Sequence, residues 1–418
     1  RSMMPGMSPL SRPDLARLDD EDELAWVRDE FVLPVGIVYL DGNSLGPLPK
    51  RAVERMRAVV EDESGRGLIR SWNDAGWIDL PGRVAATLAP LLGASPDEVV
   101  VADSTSVNLF KLLAGAVRLR PGRPVILSEK GNFPTDLYVA GGVAGLLDGI
   151  ELRLVEREAI PDALDETVAV AMLTQVDFRT GALHDMEVLT GAAHEAGALM
   201  LWDLAHSAGV VPLALDALGV DLAVGCGYKH LNGGPGAPAF AFVGRHLHEA
   251  LETPLPGWMG HAAPFAFETD YRPAPGVDRL RCGTPPILSL AALECGVEAV
   301  ARAGVDRLRR KSMELTGVFI RLVNQECDGH GLALASPDEA QKRGSQVSFR
   351  HPEAFAIVQA LIARGVIGDF REPDILRFGF APAYLRYVDA WNAAAALRAV
   401  MAGREWDRPE RRERAKVT

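Results

Sequence analysis

A lysine near the middle of the chain has the surroundings that covalent chemistry with an aldehyde requires. Lys229 directly follows an apolar run and precedes a glycine-rich turn, within residues 224–236 (VGCGYKHLNGGPG). Lysine is scarce in protein interiors because losing its hydration costs free energy. Desolvation also lowers the pKa of an amine, which turns it into a nucleophile toward aldehydes. The segment indicates either a Schiff-base lysine or an exposed lysine at the end of a strand beside a structural turn.

A carboxylate ends a second apolar run earlier in the chain. Asp203 and His206 belong to the stretch LWDLAH (201–206), and Asp203 lies 26 residues before Lys229. A carboxylate in this position can pair with a protonated pyridine nitrogen and keep the ring electron-withdrawing. By itself the pattern is also that of a strand-end aspartate that caps the next helix. The presence of a lysine at the end of another strand favours the pyridine partner.

Two further segments carry groups suited to a phosphate and a planar ring. Thr105 and Ser106, in DSTS (103–106), stand between a predicted strand and a predicted helix, where hydroxyls and backbone N–H groups bind phosphate. They also suit ordinary helix capping, and the two roles are compatible. Phe133, in FPTD (133–136), can stack on a planar ring, although such a tetrapeptide alone is more often a turn. Together the amine, pyridine partner and phosphate turn predict pyridoxal-5'-phosphate (PLP) as cofactor.

Short apolar runs must position these residues. Most are nearly continuous in apolar character, as strands covered by helices on both faces must be. Amphipathic stretches such as 107–119 and 187–196 separate them, which predicts a mostly parallel seven-stranded sheet flanked by helices in an α/β domain. Ligands of such sheets collect at the carboxyl ends of the strands. The predicted strands are 98–102, 125–127, 151–155, 168–173, 198–202, 221–224 and 239–243.

The pattern of predicted helices and strands changes after about residue 300. A long helix is predicted at about 296–323, followed by shorter strands and helices and an alanine-rich helix at about 390–401. We expect an N-terminal segment (1–50), a large PLP-binding α/β domain (51–300) and a small C-terminal α+β domain (301–418). Residues 1–3 are interpreted as a remnant of cloning.

Composition excludes several classes of protein. The chain has 44 Lys and Arg against 56 Asp and Glu, and this net charge of −12 disfavours nucleic acid as a partner. No apolar run reaches the roughly 18 residues of a membrane helix, and no secretory leader is expected. The four cysteines lack zinc-site spacing, so no metal site is predicted. These features are typical of a cytoplasmic enzyme.

At this point the chain resembles the kynureninases, PLP enzymes related to the class V aminotransferases. The resemblance implies the PLP-dependent transferase-like fold (fold type I) and hydrolytic Cβ–Cγ cleavage of L-kynurenine, with 3-hydroxykynurenine as a further candidate substrate. The products would be anthranilate and L-alanine, which places the enzyme in tryptophan catabolism and NAD biosynthesis. The matching motifs are YLDGNSLG (39–46), IRSW (69–72), SVNL (106–109), FPTD (133–136), WDLAH (202–206), YKHLN (228–232), GWMGH (257–261) and GTPP (283–286).

The resemblance also implies roles for particular residues. Lys229 would hold PLP as a Schiff base and move protons at the substrate Cα, while Asp203 would pair with the pyridine nitrogen. Tyr228 is the candidate proton donor, a role that requires suitable donor geometry and a lowered phenol pKa. Trp258 and Thr284 would reach the phosphate of the neighbouring subunit, which implies a homodimer with shared active sites. The full set of expected cofactor contacts is Thr105, Ser106, Phe133, Asp136, Thr174, Asp203, His206, Tyr228, Lys229, Trp258 and Thr284.

Substrate recognition is expected to use an arginine far along the chain. Arg377 would bind the substrate α-carboxylate, because its planar guanidinium offers two parallel donors. The alternative is a strand arginine paired with Asp374 or Glu372. Gly283 and Thr284 resemble the bacterial form of the pocket, which favours kynurenine over the 3-hydroxylated substrate.

One stretch departs from the family pattern. The family has an aromatic residue or histidine upstream of the Arg-Ser-Trp motif, whereas this chain has ESGRG at residues 63–67. Trp72 is therefore the candidate for the missing ring.

Two other functions remain open from the sequence. A cysteine desulfurase of the same class would need a mobile nucleophilic cysteine, and Cys327 is the one loosely placed candidate. A non-catalytic PLP-fold binding protein acting as a regulator would need an added DNA-binding module, which the acidic balance disfavours.

Overall fold

The computed structural model describes residues 9–414, so the predicted cloning remnant at residues 1–3 lies outside the described residues. The chain divides into two compact units. One comprises the described chain up to Ser44, Arg179–Ala182 and the described chain from Asp306, and the other comprises Leu45–Phe178 and Leu183–Val305. The boundaries expected from the sequence, after residues 50 and 300, stay a prediction.

The strands of the described chain are short and mostly buried. All residues of the strand at Val168–Thr174 are buried, which explains why it reads as a continuous apolar run. In chain order the strands are β1 (Val38–Tyr39), β2 (Val99–Val101), β3 (Val125–Glu129), β4 (Glu151–Val155), β5 (Val168–Thr174), β6 (Leu199–Asp203), β7 (Leu222–Gly225), β8 (Phe240–Val243), β9 (Ala333–Leu334), β10 (Gln346–Arg350), β11 (Val366–Ile367), β12 (Asp369–Arg371) and β13 (Ile375–Gly379).

The larger unit contains a seven-stranded sheet in the order β2-β8-β7-β6-β5-β3-β4. Strand β8 is antiparallel to both of its neighbours, and the other pairings are parallel. The predicted mostly parallel seven-stranded sheet is therefore confirmed. Its register places Thr174 of β5 opposite Asp203 of β6, at the carboxyl ends of both strands. Lys229 follows the end of the next strand, β7.

Helices flank the strands along the chain. None of the helices within residues 9–414 is long and apolar enough to cross a membrane. They are α1 (Arg12–Asp20), α2 (Ala25–Arg28), α3 (Lys50–Ala58), α4 (Ser71–Asp74), α5 (Leu80–Leu88), α6 (Thr105–Arg118), α7 (Pro134–Leu146), α8 (Ile160–Ala163), α9 (Met186–Glu195), α10 (Ile287–Ala303), α11 (Val305–Glu326), α12 (Ala354–Ala363) and α13 (Tyr387–Ala402).

The single long helix predicted at about 296–323 is wrong. The structure has two helices here, α10 and α11, with Gly304 between them. Gly304 has a φ of +81°, a conformation that glycine adopts without a Cβ clash and that ends a right-handed helix. The apolar periodicity continues across the break and conceals it in the sequence.

The smaller unit contains a four-stranded antiparallel sheet in the order β12-β13-β10-β9. Strand β1 from the N-terminal segment pairs in parallel with β11, so this segment belongs to the same unit as the C-terminal part of the chain. Phe319 anchors the core of the unit through aromatic contacts with Phe349, Phe378 and Phe380. Strand β12 was not predicted, because it is three residues long and two of them are charged.

Candidate active site

Lys229 lies in a turn that the backbone fixes at several points. The Lys229 carbonyl accepts a hydrogen bond from the Asn232 N–H (3.0 Å), and the Gly46 N–H donates to the carbonyl of Tyr228 (2.8 Å). Asn232 has a φ of +54°, so the turn after the lysine uses the left-handed region. Gly46 is required beneath the turn, because a Cβ there would lie 2.3 Å from the Lys229 carbonyl oxygen.

The side chain of Lys229 is half-buried and points toward His206. Its Nζ lies 3.2 Å from Nε2 of His206, which is itself buried. His206 follows β6 in the sequence, whereas Lys229 follows β7, and these two strands are parallel neighbours. The structure therefore brings together two residues that the sequence predicted for one site.

Asp203 and Asp136 form a buried carboxyl pair bridged by Thr174. The Thr174 Oγ1 lies 3.2 Å from Oδ2 of Asp136 and 3.5 Å from Oδ2 of Asp203. The other oxygen of Asp203 accepts a hydrogen bond from the Ala205 N–H (2.8 Å). Asp203, Asp136 and Thr174 are each about 3% exposed, so this end of the site is shielded from water.

Burial dominates the electrostatics of this pair. It raises the pKa of Asp136 well above its usual value, and the adjacent charge of Asp203 raises it further. Burial also raises the pKa of Asp203, an effect that the positive charge of Lys229 opposes. We therefore assign a proton to Asp136 and the negative charge to Asp203, because two adjacent carboxylates cannot both ionise in a dry site.

Asn132 completes this hydrogen-bond network and was not predicted from the sequence. Its Oδ1 lies 2.5 Å from the Thr174 Oγ1 and also accepts the Phe133 N–H (2.7 Å). Its Nδ2 donates to the hydroxyl of Ser128 (3.0 Å). The available signal was its position immediately before the FPTD motif.

The predicted phosphate turn forms the start of a helix. Thr105 and Ser106 are the first residues of α6, and Ser104 is its N-cap. The Val107 N–H donates to the Ser104 hydroxyl (3.3 Å), and the Asn108 N–H donates to the Ser104 carbonyl (2.9 Å). The N–H groups of Thr105 and Ser106 belong to the first turn, which has no intrahelical acceptors, and they can bind an anion.

Phe133 stands at the start of α7 with its ring partly exposed. The ring is 38% exposed and packs edge to face on Phe178, at a centroid distance of 5.3 Å. Part of Phe133 therefore remains accessible, at a residue whose N–H is bound by Asn132. Its stacking on a cofactor ring stays a prediction.

The phenol pKa of Tyr228 is not lowered, as an easily ionised proton donor would require. Burial raises the pKa of Tyr228 to about 12, with smaller contributions from Cys226 and Asp203. A phenol with this pKa keeps its proton at neutral pH. It can still donate that proton to a strongly basic carbanion, but it is not an easily ionised acid.

Trp258 and Thr284 are exposed, as residues that reach another subunit would be. The Trp258 ring is 38% exposed and packs against Phe265 and Phe267, which are 59% and 75% exposed. Thr284 and Gly283 are exposed in the segment before α10. Their predicted contacts with a partner subunit and with substrate stay predictions.

Arg377 lies in the smaller unit and is almost completely buried. Its Nε donates to Oδ1 of Asp369 (2.7 Å), its second terminal nitrogen pairs with the other oxygen of Asp369, and Ser44 accepts from that nitrogen (2.8 Å). The Asp41 carboxylate approaches it to 3.9 Å. Burial raises the pKa of Asp41 to about 7, and the charge of Asp369 adds to this effect.

The alternative partners expected for Arg377 are wrong. Asp374 pairs instead with Arg350 (2.8 Å), and Glu372 pairs with Arg414. The reason is register, because Asp369 of β12 lies directly opposite Arg377 of β13. Whether Arg377 binds a substrate carboxylate stays a prediction.

The stretch that departs from the family pattern forms a π-helix at Val59–Gly67. Glu63 holds it in place by accepting hydrogen bonds from Arg55 (2.5 Å) and from the Trp77 Nε1 (2.6 Å). Trp72, the candidate replacement ring, packs edge to face on Trp77 at 5.9 Å. π-Helices are rare, and most of those known are single-turn bulges within α-helices.

These residues fit PLP. The desolvated carboxylate of Asp203 already accepts the Ala205 N–H (2.8 Å), and a pyridinium N–H would add a cationic donor to its buried charge. An amine on the neighbouring strand end and a helix N-terminus with available N–H groups match the aldehyde and the phosphate.

Comparison with known proteins decides the family. A family model described as the kynureninase C-terminal domain matches residues 308–397. The kynureninase of Burkholderia mallei (strain SAVP1) is 52% identical over 414 residues, which cover 98% of this chain and 100% of that protein. The chain belongs to the kynureninase family. The resemblance seen in the sequence motifs is thereby confirmed.

Solved structures with the same fold come from related PLP enzymes. The kynureninase-family chain superposes on an apo cysteine desulfurase from Thermococcus onnurineus NA1 with a TM-score of 0.78, 19% identity and coverage of 91% of this chain and 98% of that chain. A C-DES mutant with glycine covalently linked to the PLP cofactor gives a TM-score of 0.78, 18% identity and coverage of 88% and 98%. At these identities the likeness concerns the fold alone. It confirms the predicted PLP-dependent transferase-like α/β fold.

The structure disfavours the cysteine desulfurase alternative for this kynureninase-family member. Cys327 is buried, with 3% exposure, and burial raises its pKa to about 12. A buried thiol that keeps its proton cannot serve as the mobile nucleophile that such an enzyme needs.

Proposed function

We propose that this chain is a PLP-dependent hydrolase that converts L-kynurenine and water into anthranilate and L-alanine by cleaving the Cβ–Cγ bond. The observation that carries the proposal is the convergence of Lys229, His206 and the buried carboxylate of Asp203 in a kynureninase-family chain. Gly283 and Thr284 support kynurenine as the preferred substrate over its 3-hydroxylated form.

Residues of the larger unit would hold the cofactor at three points. Lys229 would hold its aldehyde carbon, Asp203 its ring nitrogen, and the N–H and hydroxyl groups of Thr105 and Ser106 its phosphate, with Phe133 against the ring. When bound, PLP withdraws electrons from the substrate, so that bonds near the amino-bearing carbon can break. Asp136 keeps a proton and donates a hydrogen bond to Asp203, which holds that carboxylate in the orientation the ring nitrogen needs.

The proton transfers are assigned to neighbouring side chains. The Lys229 Nζ takes the proton from the substrate Cα, and His206 lies within 3.2 Å to orient this nitrogen. Tyr228 donates a proton to the substrate Cβ after the Cβ–Cγ bond has broken. Its raised pKa, about 12, ensures that the proton is present throughout the neutral range.

Arg377 is the proposed ligand of the substrate α-carboxylate. Its guanidinium is fixed by Asp369 and Ser44, so it can bind a carboxylate without losing much rotamer entropy. A preset guanidinium of this kind distinguishes an amino acid from an amine that lacks the carboxylate.

The quaternary state and the cellular location are part of the same proposal. The exposed aromatic group of Trp258, Phe265 and Phe267 supports a homodimer in which each subunit contributes to the other's phosphate site. The described cysteines are unpaired, which supports a reducing compartment such as the cytoplasm. There the enzyme would act in tryptophan catabolism.

The direct test is the release of fluorescent anthranilate from L-kynurenine by the purified holoenzyme. Lys229→Ala should reduce turnover to almost nothing, because the amine that holds the cofactor and moves the proton is gone. Lys130→Ala is the matched control, since Lys130 is an exposed lysine paired with Glu156 (2.8 Å). Near-normal turnover in Lys229→Ala would refute the assignment. Release of sulfide from cysteine, without anthranilate from kynurenine, would instead support a desulfurase.

A further inference from the structure

A second buried lysine stands close to the proposed phosphate turn, and the mechanism above does not use it. Lys111 belongs to α6, whose first residues are Thr105 and Ser106, and it is 0% exposed. Its Nζ donates to Oδ2 of Asp103 (2.7 Å) and to the carbonyl oxygen of Leu280 (2.6 Å). The ammonium is thus buried with one carboxylate and one carbonyl as its partners in these contacts.

Packing alone does not explain a lysine at this position. Its neighbours in α6, Leu109, Leu112 and Leu113, are completely buried apolar residues. A leucine or methionine would fill similar space, and replacing a buried ion pair by apolar residues is often neutral or stabilising. The reason for a charged residue here must therefore lie in the groups that the Lys111 ammonium binds, the Asp103 carboxylate and the Leu280 carbonyl.

Lys111 holds a backbone in an unusual conformation. Asp103 has a φ of +51°, in the left-handed region that non-glycine residues rarely adopt. The Asp103 carbonyl accepts the Ala239 N–H (2.8 Å), so the backbone of Asp103 is fixed to the residue before β8, in addition to the fixing of its side chain. This left-handed residue directs the chain from β2 into Ser104, the N-cap of α6. The orientation of the first N–H groups of α6 thus depends on the pairing of Asp103 with Lys111.

Lys111 also neutralises a negative charge at the N-terminus of α6, where the proposed phosphate would bind. The Asp103 carboxylate stands one residue before the N-cap, at the terminus where the proposed phosphate would bind. An unpaired carboxylate there would repel a phosphate dianion through a partly desolvated medium. The ammonium of Lys111 neutralises the carboxylate and draws it toward the buried side of the helix.

The Lys111 ammonium also binds a second segment, the one that leads to Thr284, a predicted phosphate contact. Leu280 ends the 3-10 helix at Gly276–Leu280, and the chain continues through Cys282 to Gly283 and Thr284. The Cys282 thiol lies 3.8 Å from the Leu280 carbonyl oxygen, which is the oxygen that accepts the hydrogen bond from Lys111. One buried charge therefore connects the start of α6 with the segment that carries Thr284.

We propose that Lys111 is a positioning residue for the cofactor phosphate, acting by neutralising Asp103 and fixing the entry into α6. This inference rests on the proposed function, because it requires that the chain binds PLP. It assigns to Lys111 no contact with the reacting atoms. Its effect should be confined to the phosphate end of the ligand.

The test compares the affinity of the apoenzyme for PLP and for pyridoxal, which lacks the phosphate, by equilibrium dialysis with absorbance detection. Lys111→Met should weaken PLP binding by about tenfold, since an unpaired carboxylate then faces the phosphate. Pyridoxal binding should stay unchanged. Lys311→Met is the matched control, because Lys311 is another buried lysine, paired with Asp22 (2.7 Å) in the smaller unit. It should change neither affinity.

Charge neutralisation has its own test. In the double variant Asp103→Asn with Lys111→Met, the unpaired carboxylate is absent, and most of the PLP affinity should return. If Lys111→Met does not fold, Lys111→Gln replaces it, because an amide can bond both oxygens without the charge. It should show the same selective loss of PLP affinity.

The outcomes separate this inference from the proposed function. Equal losses for PLP and pyridoxal, or no loss of PLP affinity in either Lys111 variant, would overturn the role of Lys111. A double variant no better than Lys111→Met would overturn the neutralisation of Asp103. If the unmodified chain bound neither ligand, the proposed function itself would fail.

Discussion

The Asp41 carboxyl offers a sharp test of the electrostatics around Arg377. Asp41 is half-buried, and the charged groups that face it are Asp369, Arg377 and Arg371. Burial and the charge of Asp369 raise its pKa from 3.8 to about 7 despite the two arginines. The perturbation is Asp41→Asn, which keeps the shape of the side chain and removes its titration.

The sign and size of the effect follow from proton linkage. Because the folded pKa is raised, the folded protein keeps a proton that the unfolded chain releases above about pH 4. The stability from Asp41 is therefore complete below the unfolded pKa and falls by about 1.4 kcal/mol per pH unit until the folded pKa is reached. Between pH 5 and pH 8 this group should cost the wild-type protein roughly 2 to 3 kcal/mol.

Differential scanning calorimetry of the full chain at pH 5 and pH 8 measures this cost. The Tm advantage of Asp41→Asn over the wild type should be larger at pH 8 than at pH 5 by about 5 to 10 °C, for a unit of this size. The control is Asp374→Asn, which removes a carboxylate that pairs with Arg350 at the surface (2.8 Å). Equal pH dependence of Tm in wild type and Asp41→Asn would show that Asp41 does not titrate as the structure indicates.

Three further predictions concern the candidate site. Arg377→Ala should raise the KM for kynurenine. It should also lower the Tm, because the buried Asp369 loses one of its two arginine partners and keeps only Arg371 (2.6 Å). Steady-state kinetics with an unchanged KM would remove Arg377 from the site. Tyr228→Phe should lower kcat but leave the shape of the pH profile of kcat/KM between pH 6 and 10 unchanged, because a phenol with a pKa of about 12 stays protonated there. If the wild-type kcat/KM fell at alkaline pH and that of the variant did not, the prediction would be contradicted. Gly46→Ala should abolish PLP uptake in a titration followed by absorbance, because its Cβ would lie 2.3 Å from the Lys229 carbonyl; normal uptake would show that the turn can shift.

The sheet was predictable from the sequence because its strands are buried on both faces. Strand β5, with seven buried residues, leaves a continuous apolar run, and the residues that follow such runs meet at one sheet edge. That rule was sufficient to predict that Asp203, His206 and Lys229 lie together. Thr174 and Asp203 then follow from the register of two adjacent strands.

Partners set by tertiary pairing were not predictable in the same way. Asp369 lies opposite Arg377 because a three-residue strand forms, and its composition gives no strand signal. Asn132, in the turn after β3, contacts Thr174 at the end of β5, and neither segment shows this contact alone. Lys111 differs from these residues, because its burial could have been predicted. A lysine within the apolar stretch of α6 is itself a sign of a buried charge.

The antiparallel strand β8 has a consequence for how the protein folds during translation. Strand β2, which leads into the phosphate turn, pairs within the described sheet with β8 alone, and the partners Val101 and Phe240 are 139 positions apart (240 − 101). A nascent chain leaving the ribosome must therefore hold β2 unpaired until β8 has been synthesised. The phosphate turn after β2 can therefore be fixed in place only once β8, at Phe240–Val243, has been synthesised, and until then β2 is open to chaperones or to aggregation.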